Sequence, residues 1–304
     1  MIRPTALELF AGCGGLAEGL RQAGFQHVLL VDEDKACIET LTRNGFGPAV
    51  LHARVEEVNY GPYHGRVDLV CGGPPCQPFS IGGVDGGEGD ARNGWPEAVR
   101  AVRECAPRAF LFENVAGMVR PKFRAFVDRL LAEFKMLGYR CSLHCIDASQ
   151  FGVPQHRKRI FIVGVLSGIE YAPPSPHGKP VAVKEALADL GPPNGRNGHV
   201  LQGRARAYAG HTGSDPSKPA KTLVAGSGHG VPGGSNTLRC PDGSVRYYTV
   251  REAARIQTFP DAYVFQHAMS TAFKQLGNAA PPLLVKAFAA PLQKALAFGE
   301  QGRT

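Results

Sequence analysis

The sequence has 304 residues, of which 43% are hydrophobic and 20% charged, a composition typical of a globular protein with one main domain and a smaller second one. No apolar stretch approaches the length of a membrane span and the N-terminus lacks a signal-peptide pattern, so we expect a cytosolic protein with no membrane partner. The 34 basic and 26 acidic residues give a net charge of +8, which either favours a polyanionic partner such as nucleic acid or serves solubility alone.

Strand-like and helix-like segments alternate along the first half of the chain. The clearest helix is "PKFRAFVDRLLAEFKMLG" (121–138), whose apolar residues recur at steps of three and four and form one stripe. Such alternation is typical of a parallel sheet covered on both faces. The predicted strands are 6–10, 27–32, 67–73, 108–114, 140–147 and 159–165, and the other helices are 15–24, 33–44 and 95–106.

From residue 166 to about 245 the chain is rich in glycine, proline and polar residues, and two more helices follow at 249–260 and 281–299. The stretch is either a long disordered insert or a loop-rich second domain. Short apolar anchors such as "TLVAG" and "RYYTV" favour the second domain. We therefore predict a discontinuous main domain, 1–165 with 268–304, and a second domain, 166–267.

A glycine-rich turn follows the first predicted strand. Residues 12–17, "GCGGLA", satisfy a loose dinucleotide-binding pattern, in which glycines let a ligand approach the backbone closely. Asp32 ends the next strand, where a carboxylate can accept hydrogen bonds from ribose hydroxyls. The pattern indicates an adenosine-type cofactor, either NAD or S-adenosylmethionine, and a tight turn without a ligand is the alternative.

Cys76 follows the strand at 67–73 in the segment "GGPPCQPFS". Prolines on both sides stiffen this loop, and the carboxyl edge of a parallel sheet is where ligands bind. A thiol presented there suits a nucleophile, whereas the alternative is a buried structural cysteine. The eight cysteines show no CxxC pair and no zinc spacing, so we expect no metal site, reduced thiols, and the other seven packed in the core.

Two further groups of polar residues accompany the predicted strands. Glu113 ends the strand at 108–114, at the same edge as Cys76, where it could hold a proton to donate or could cap a helix. Gln155, Arg157 and Arg159 are spaced by two, so they share one face of an extended segment. Two arginines and an amide suit a base edge and a phosphate, and a solvated charge run is the alternative.

Six segments, taken in order, resemble the motifs of the DNA (cytosine-5)-methyltransferases. They are "LELFAGCGGLAEGL", "GGPPCQPFS" with a later "DARN", "FENVAGM", "FGVPQHRKRIFIVG", "TVREAARIQTFPD" and "QLGNAAPPLLVKAF". The resemblance covers nearly the whole chain outside 166–245. It implies an α/β, Rossmann-like S-adenosylmethionine-dependent methyltransferase fold with a mostly parallel sheet, and a small loop-rich target-recognition domain at 166–267.

The resemblance also implies roles for single residues. Cys76 would add to C6 of a cytosine flipped out of duplex DNA, and Glu113 would engage N3. Arg157 and Arg159 would orient the base and a phosphate. The cofactor-binding residues would be Phe10, Gly12, Gly14, Asp32, Pro75 and Asn278, and the DNA-binding residues Gln155, Ser80, Arg204, Arg206, Thr222 and Leu223; core strand positions are the alternative for the last two.

One position departs from the family pattern: Arg54 stands where an aspartate usually contacts the adenine amino group, so that contact stays unassigned. The remaining expectations are a monomer in the prokaryotic cytoplasm, associated with the nucleoid through DNA, of restriction-modification or of orphan or phage type, with a cognate endonuclease acting separately. The alternative functions are a tRNA cytosine-5 methyltransferase, an NAD-dependent oxidoreductase, and a DNA-binding protein with an inactive methyltransferase fold.

Overall fold

The computed structural model describes residues 3–75, 93–201, 203–205, 212–226 and 236–298. Seven strands form one sheet, in the order β3-β2-β1-β4-β5-β7-β6. These strands are β1 (Thr5–Leu9), β2 (Gln26–Asp32), β3 (Val50–His52), β4 (Leu69–Gly72), β5 (Ala109–Val115), β6 (Tyr139–Asp147) and β7 (Lys158–Leu166).

The sheet is mostly parallel, as predicted, with one reversed strand. Strands β1 to β5 pair in parallel, whereas β7 pairs antiparallel with both β5 and β6. Because β7 is reversed, its first residues, not its last, lie at the edge where the parallel strands end. Val115 at the end of β5 is therefore paired with Arg159 at the start of β7.

Helices cover both faces of the sheet. The helices are α1 (Gly15–Gln22), α2 (Lys35–Leu41), α3 (Trp95–Cys105), α4 (Arg124–Met136), α5 (Val183–Ala186), α6 (Val250–Ile256), α7 (Met269–Asn278) and α8 (Pro282–Phe298). Because side chains alternate along β5, Phe110 and Phe112 pack with α3 and α4 on one face, and Leu111 packs with α1 and α8 on the other. The ring centroid of Phe110 lies 4.2 Å from that of Phe134 in α4.

The described part of 166–267 contains little regular structure, as its composition predicts. Its strands are the hairpin β8 (Thr237–Arg239) and β9 (Val245–Tyr247). Residues of this region, among them Leu223 and Tyr248, share one hydrophobic core with Leu30 and Leu41 of the main domain and with Phe273 of α7. The boundary at 267 falls between α6 and α7, which both contribute to that core, and it stays a prediction.

The lengths of the helices and the burial of the cysteines bear on two expectations from composition. Within the described ranges, no helix is both long enough and apolar enough to span a bilayer. Four cysteines are buried as expected, at positions 13, 37, 71 and 105, but Cys145 on β6 is exposed and Cys141 and Cys240 are half-buried. The expectation that all seven pack in the core is therefore wrong. Cys141 and Cys145 lie on β6, an edge strand whose surface partly faces water, and Cys240 directly follows the short strand β8.

Candidate active site

A cavity of about 380 Å³ opens at the carboxyl edge of the sheet, a size typical of small-molecule sites. We call it the cofactor cavity. Several parts of the chain meet there: the turn after β1, the end of β2, the ends of β4 and β5, the start of β7 and the end of α7. Its lining includes Phe10, Gly12, Asp32, Asp34, Gly73, Pro74, Pro75, Glu113, Asn114, Arg159, Lys274, Gly277, Asn278 and Ala279.

Glycine is needed at two positions of the turn, 12 and 14, for different physical reasons. Gly12 adopts φ 54°, lines the cavity, and would have nothing within 4 Å of an added Cβ. Gly14, at φ 87°, is the N-cap of α1 and is not among the cavity-lining residues. A Cβ on Gly14 would lie 2.8 Å from a methyl group of Leu41 and closer still to the hydroxyl of Tyr263. Gly12 is thus open to a ligand, whereas Gly14 allows close packing.

Asp32 holds the turn from the end of β2. Its Oδ2 accepts a hydrogen bond from the Gly12 N–H at 2.7 Å, and its Oδ1 accepts one from the Asp34 N–H at 2.9 Å. Burial raises the pKa of the Asp32 carboxyl above its usual value, although these two backbone hydrogen bonds lower it in part. Each carboxylate oxygen keeps a lone pair, so Asp32 can still accept hydroxyl groups of a sugar inside the cavity.

An ion pair that sequence reasoning did not find lines the same cavity. Lys274 of α7 lies 2.9 Å from Oδ2 of Asp34, the residue that caps α2. The Lys274 ammonium holds the pKa of Asp34 below its usual value. The two residues are 240 positions apart in sequence, so no local pattern indicates this pair.

Glu113 and Arg159 form the polar wall beside the loop that leads to residue 76. Arg159 Nε lies 2.7 Å from Glu113 Oε1, and the two side chains are only 13% and 10% exposed. The reversed direction of β7 brings Arg159 to this edge. Asn114, one residue further along β5, donates a hydrogen bond from Nδ2 to the Pro74 carbonyl at 3.0 Å. This side chain links the end of β5 to the segment that enters the "PPCQP" loop.

Arg157 does not line the cofactor cavity beside Glu113 and Arg159. Its guanidinium is fully buried and donates hydrogen bonds to the carbonyls of Leu223 (2.9 Å), Gly277 (2.7 Å) and Ala279 (3.0 Å). The alternation predicted for this segment is present, since Gln155 and Arg157 are buried while His156 and Lys158 are exposed. The buried face, however, points at backbone carbonyls. In this structure the Arg157 guanidinium contacts these carbonyls, and its contact with the base or a phosphate stays a prediction.

The predicted DNA-binding residues also divide by exposure. Gln155 is buried and Leu223 is 1% exposed, so neither faces DNA in this structure. Thr222 is half-buried and donates from Oγ1 to the His156 carbonyl at 2.6 Å, and Arg204 is exposed. Cys76, Ser80 and Arg206 lie outside the described residues.

Arg54, the departure from the family pattern, does not line the cofactor cavity. Its side chain is exposed and lies 3.5 Å from Glu56, and it is not among the lining residues. No contact between Arg54 and an adenine follows from this geometry, so the contact with the adenine amino group stays unassigned.

The fold and the cavity define a class of protein. A mostly parallel sheet with a glycine turn, an acidic residue after β2 and a reversed β7 is the architecture of S-adenosylmethionine-dependent methyltransferases. A structure described as a DNA modification methyltransferase from an Escherichia coli prophage matches 97% of this chain, and 99% of its own, with a TM-score of 0.77 and 24% identity. The Dnmt2 methyltransferase of S. pombe matches 96% of this chain with a TM-score of 0.75 and 18% identity. These likenesses show the fold.

The family follows from the sequence comparison. The model for C-5 cytosine-specific DNA methylases matches residues 5–190 and 202–294. The type II methyltransferase M.AplI of Arthrospira platensis is 34% identical over 305 residues, covering 96% of this chain and 86% of the relative. M.NgoMIV of Neisseria gonorrhoeae is 34% identical over 309 residues, covering 96% and 98%. The chain belongs to the C-5 cytosine-specific DNA methylases: it is a DNA (cytosine-5)-methyltransferase that uses S-adenosylmethionine and acts on DNA.

Proposed function

We propose that the chain methylates a cytosine within one specific duplex DNA site, with Cys76 as the nucleophile. The observation that carries this proposal is the convergence, in one cavity, of Gly12, Pro75 and the Glu113–Arg159 pair. Pro75, which immediately precedes Cys76 in the sequence, lines the same cavity as the Glu113 carboxyl group and the glycine turn. A cytosine that reacts there must be flipped out of the duplex.

The chemistry explains why both a thiol and a carboxyl group are needed. C5 of cytosine is a poor nucleophile until the Cys76 thiolate adds to C6 and forms a carbon–sulfur bond. Glu113 protonates N3 as the electron pair moves onto the ring, and Arg159 holds the Glu113 carboxyl group in place. S-adenosylmethionine supplies the methyl group that C5 takes. Loss of the C5 proton to a base then expels the thiolate, and N3 returns its proton to Glu113.

We propose that Phe10, Gly12, Asp32, Pro75 and Asn278 contact the cofactor. All five line the cofactor cavity, Gly12 leaves open space, and the Asp32 oxygens retain acceptor capacity. Gly14 then contributes by shaping the turn. The residues present therefore fit an adenosine-type cofactor. On the DNA side, Arg204 and Thr222 keep their proposed roles, because both are at least partly exposed.

A modification role in a type II restriction-modification system is the biological function that we propose. The relatives M.AplI and M.NgoMIV are named type II methyltransferases, which supports this role. The corresponding endonuclease would be a separate protein, and the methyltransferase would act as a monomer on nucleoid DNA in the cytoplasm. Bisulfite sequencing of plasmid from an expressing host would identify the methylated site, and sedimentation with and without that duplex would measure the oligomeric state.

The test of the catalytic proposal is the variant Cys76→Ala, with Cys145→Ala as the matched control because Cys145 is exposed on β6. Cys76→Ala should lose methyl transfer from labelled S-adenosylmethionine and keep cofactor binding, and the control should keep both. Duplex DNA carrying 5-fluorocytosine should trap a covalent adduct only when Cys76 is present, since fluorine cannot leave C5 as the proton does. Turnover by Cys76→Ala, or transfer to tRNA in preference to duplex DNA, would overturn the proposal.

A further inference from the structure

Residues 221–225, "KTLVA", lie directly against the end of α7. We call them the 221–225 segment. A Cβ on Gly277 would lie 2.6 Å from Ala225 Cα and closer still to the backbone of Val224. Only a hydrogen atom fits there, so the two backbones are in contact. The residues that follow Gly277, Asn278 and Ala279, line the cofactor cavity. The contact thus joins the end of α7, which borders the cofactor cavity, to the 221–225 segment, which belongs to the predicted second domain.

A chain of buried side-chain amides reinforces the contact. Leu223 N–H donates to Gln155 Oε1 at 2.8 Å, and Gln155 Nε2 donates to Gln257 Oε1 at 2.5 Å. Gln257 Nε2 in turn donates to the carbonyls of Leu276 (2.6 Å) and Ala279 (2.8 Å). Three hydrogen bonds of Gln257 therefore join residues that lie far apart in sequence. Arg157 makes a second connection in parallel, from the Leu223 carbonyl to those of Gly277 and Ala279.

The amide chain has little freedom to stretch. Gln155 and Gln257 are both fully buried, so a hydrogen bond that is broken there is not replaced by water. Both N–H groups of the Gln257 amide and its oxygen are engaged, which fixes the orientation of the amide. A displacement of the 221–225 segment must therefore either move residues 276–279 or leave buried polar groups without partners.

We propose that Gln257 is a positioning residue that couples DNA binding to cofactor binding. The proposal rests on the proposed function in one respect, which is that the 221–225 segment contacts DNA. DNA that presses on this segment shifts Leu223, and Gln155 and Gln257 pass the shift to the carbonyls of residues 276 and 279 and so to the cavity wall at 277–279. By thermodynamic linkage, a cofactor bound against that wall strengthens DNA binding by the same factor.

The experiment measures the affinity for S-adenosylhomocysteine, the product, so that no methyl transfer occurs. Titration calorimetry is run with and without a saturating duplex that contains the site identified by bisulfite sequencing. For the wild type we expect DNA to tighten binding by roughly fivefold or more. In Gln257→Met, which has similar length but no hydrogen-bonding amide, the ratio should fall to about half of the wild-type ratio or less, since the variant loses three hydrogen bonds of the coupling path and keeps the parallel connection through Arg157. Gln26→Met, at an exposed position on β2, is the matched control and should keep the wild-type ratio.

A purely structural role for Gln257 gives a different result. It would lower the melting temperature of Gln257→Met and leave the ratio of affinities unchanged, which would overturn the proposal. If DNA did not change the affinity of the wild type for S-adenosylhomocysteine, the proposal would be overturned as well. This measurement does not depend on any variant being folded. Gln155→Met breaks the same chain from the other side, so the double variant should lose no more coupling than either single variant. If the wild type methylates no duplex, the proposed function has failed separately, and the coupling is then measured with sheared plasmid DNA.

Discussion

Replacing Gly277 with alanine should impair catalysis without touching any reacting group. The added Cβ would lie 2.6 Å from Ala225 Cα, where ordinary contact requires at least 3.4 Å. The 221–225 segment must then retreat by about 1 Å, because a packed interior cannot absorb the overlap. The 2.9 Å hydrogen bond from Arg157 to the Leu223 carbonyl would stretch beyond hydrogen-bonding range. Overpacking of this kind costs about 1–3 kcal/mol of unfolding free energy, and a misplacement of about 1 Å can lower a rate roughly 100-fold.

The assay is the transfer of labelled methyl groups to duplex DNA, with urea denaturation to measure the free energy of unfolding. Gly277→Ala should lower kcat/KM for DNA by about two orders of magnitude while the protein stays folded. Gly47→Ala is the matched control, because its nearest neighbour would be a side-chain methyl group of Thr42 at 3.3 Å. If Gly277→Ala methylated DNA at the wild-type rate, the close contact between the 221–225 segment and α7 would not matter for function.

Three further outcomes follow from the contacts. Asp32→Asn leaves one amide oxygen to accept hydrogen bonds from two N–H groups, so the affinity for S-adenosylhomocysteine should fall roughly 10- to 150-fold. An unchanged Kd, measured by calorimetry, would contradict the role of Asp32 in holding Gly12. Burial, opposed in part by His27, raises the pKa of Glu8 above its usual 4.5. The contribution of Glu8 to the free energy of unfolding is therefore greatest below pH 4.5 and is lost as the pH rises through the raised pKa. In Glu8→Gln, the free energy of unfolding measured with urea should decline less steeply with pH. A pH slope equal to that of the wild type would argue against this role of Glu8. Arg54→Ala should change cofactor affinity by less than about twofold, since its ion pair with a surface carboxylate is weak; a larger loss would show that Arg54 reaches the cavity.

Much of the architecture could be predicted because it depends on local pattern. The segment 108–114 contains the apolar run 109–112, and most of it becomes β5, which is buried on both faces. Strand–helix alternation predicted the mostly parallel sheet, and the glycine turn predicted a ligand site at its carboxyl edge. These features need only the periodicity of a few neighbouring residues and the rules for connecting parallel strands.

The inward direction of Arg157 could not be predicted in the same way. The spacing of Gln155 and Arg157 gave the correct alternation, but which side faces the interior depends on carbonyl groups at 223 and 277–279. A charged guanidinium is buried only where such acceptors surround it, and they come from parts of the chain that are distant in sequence. The pairing of Lys274 with Asp34 and the amide chain through Gln257 depend on long-range contacts for the same reason.

The two walls of the cofactor cavity are made at opposite stages of translation. Residues 10–16 leave the ribosome early, whereas residues 274–280 follow more than 250 residues later. A nascent chain that already carries the glycine turn and Asp32 still lacks the opposite wall. Cellular S-adenosylmethionine therefore offers no ligand stabilisation to partial translation products, and its contribution begins only once α7 has packed into place.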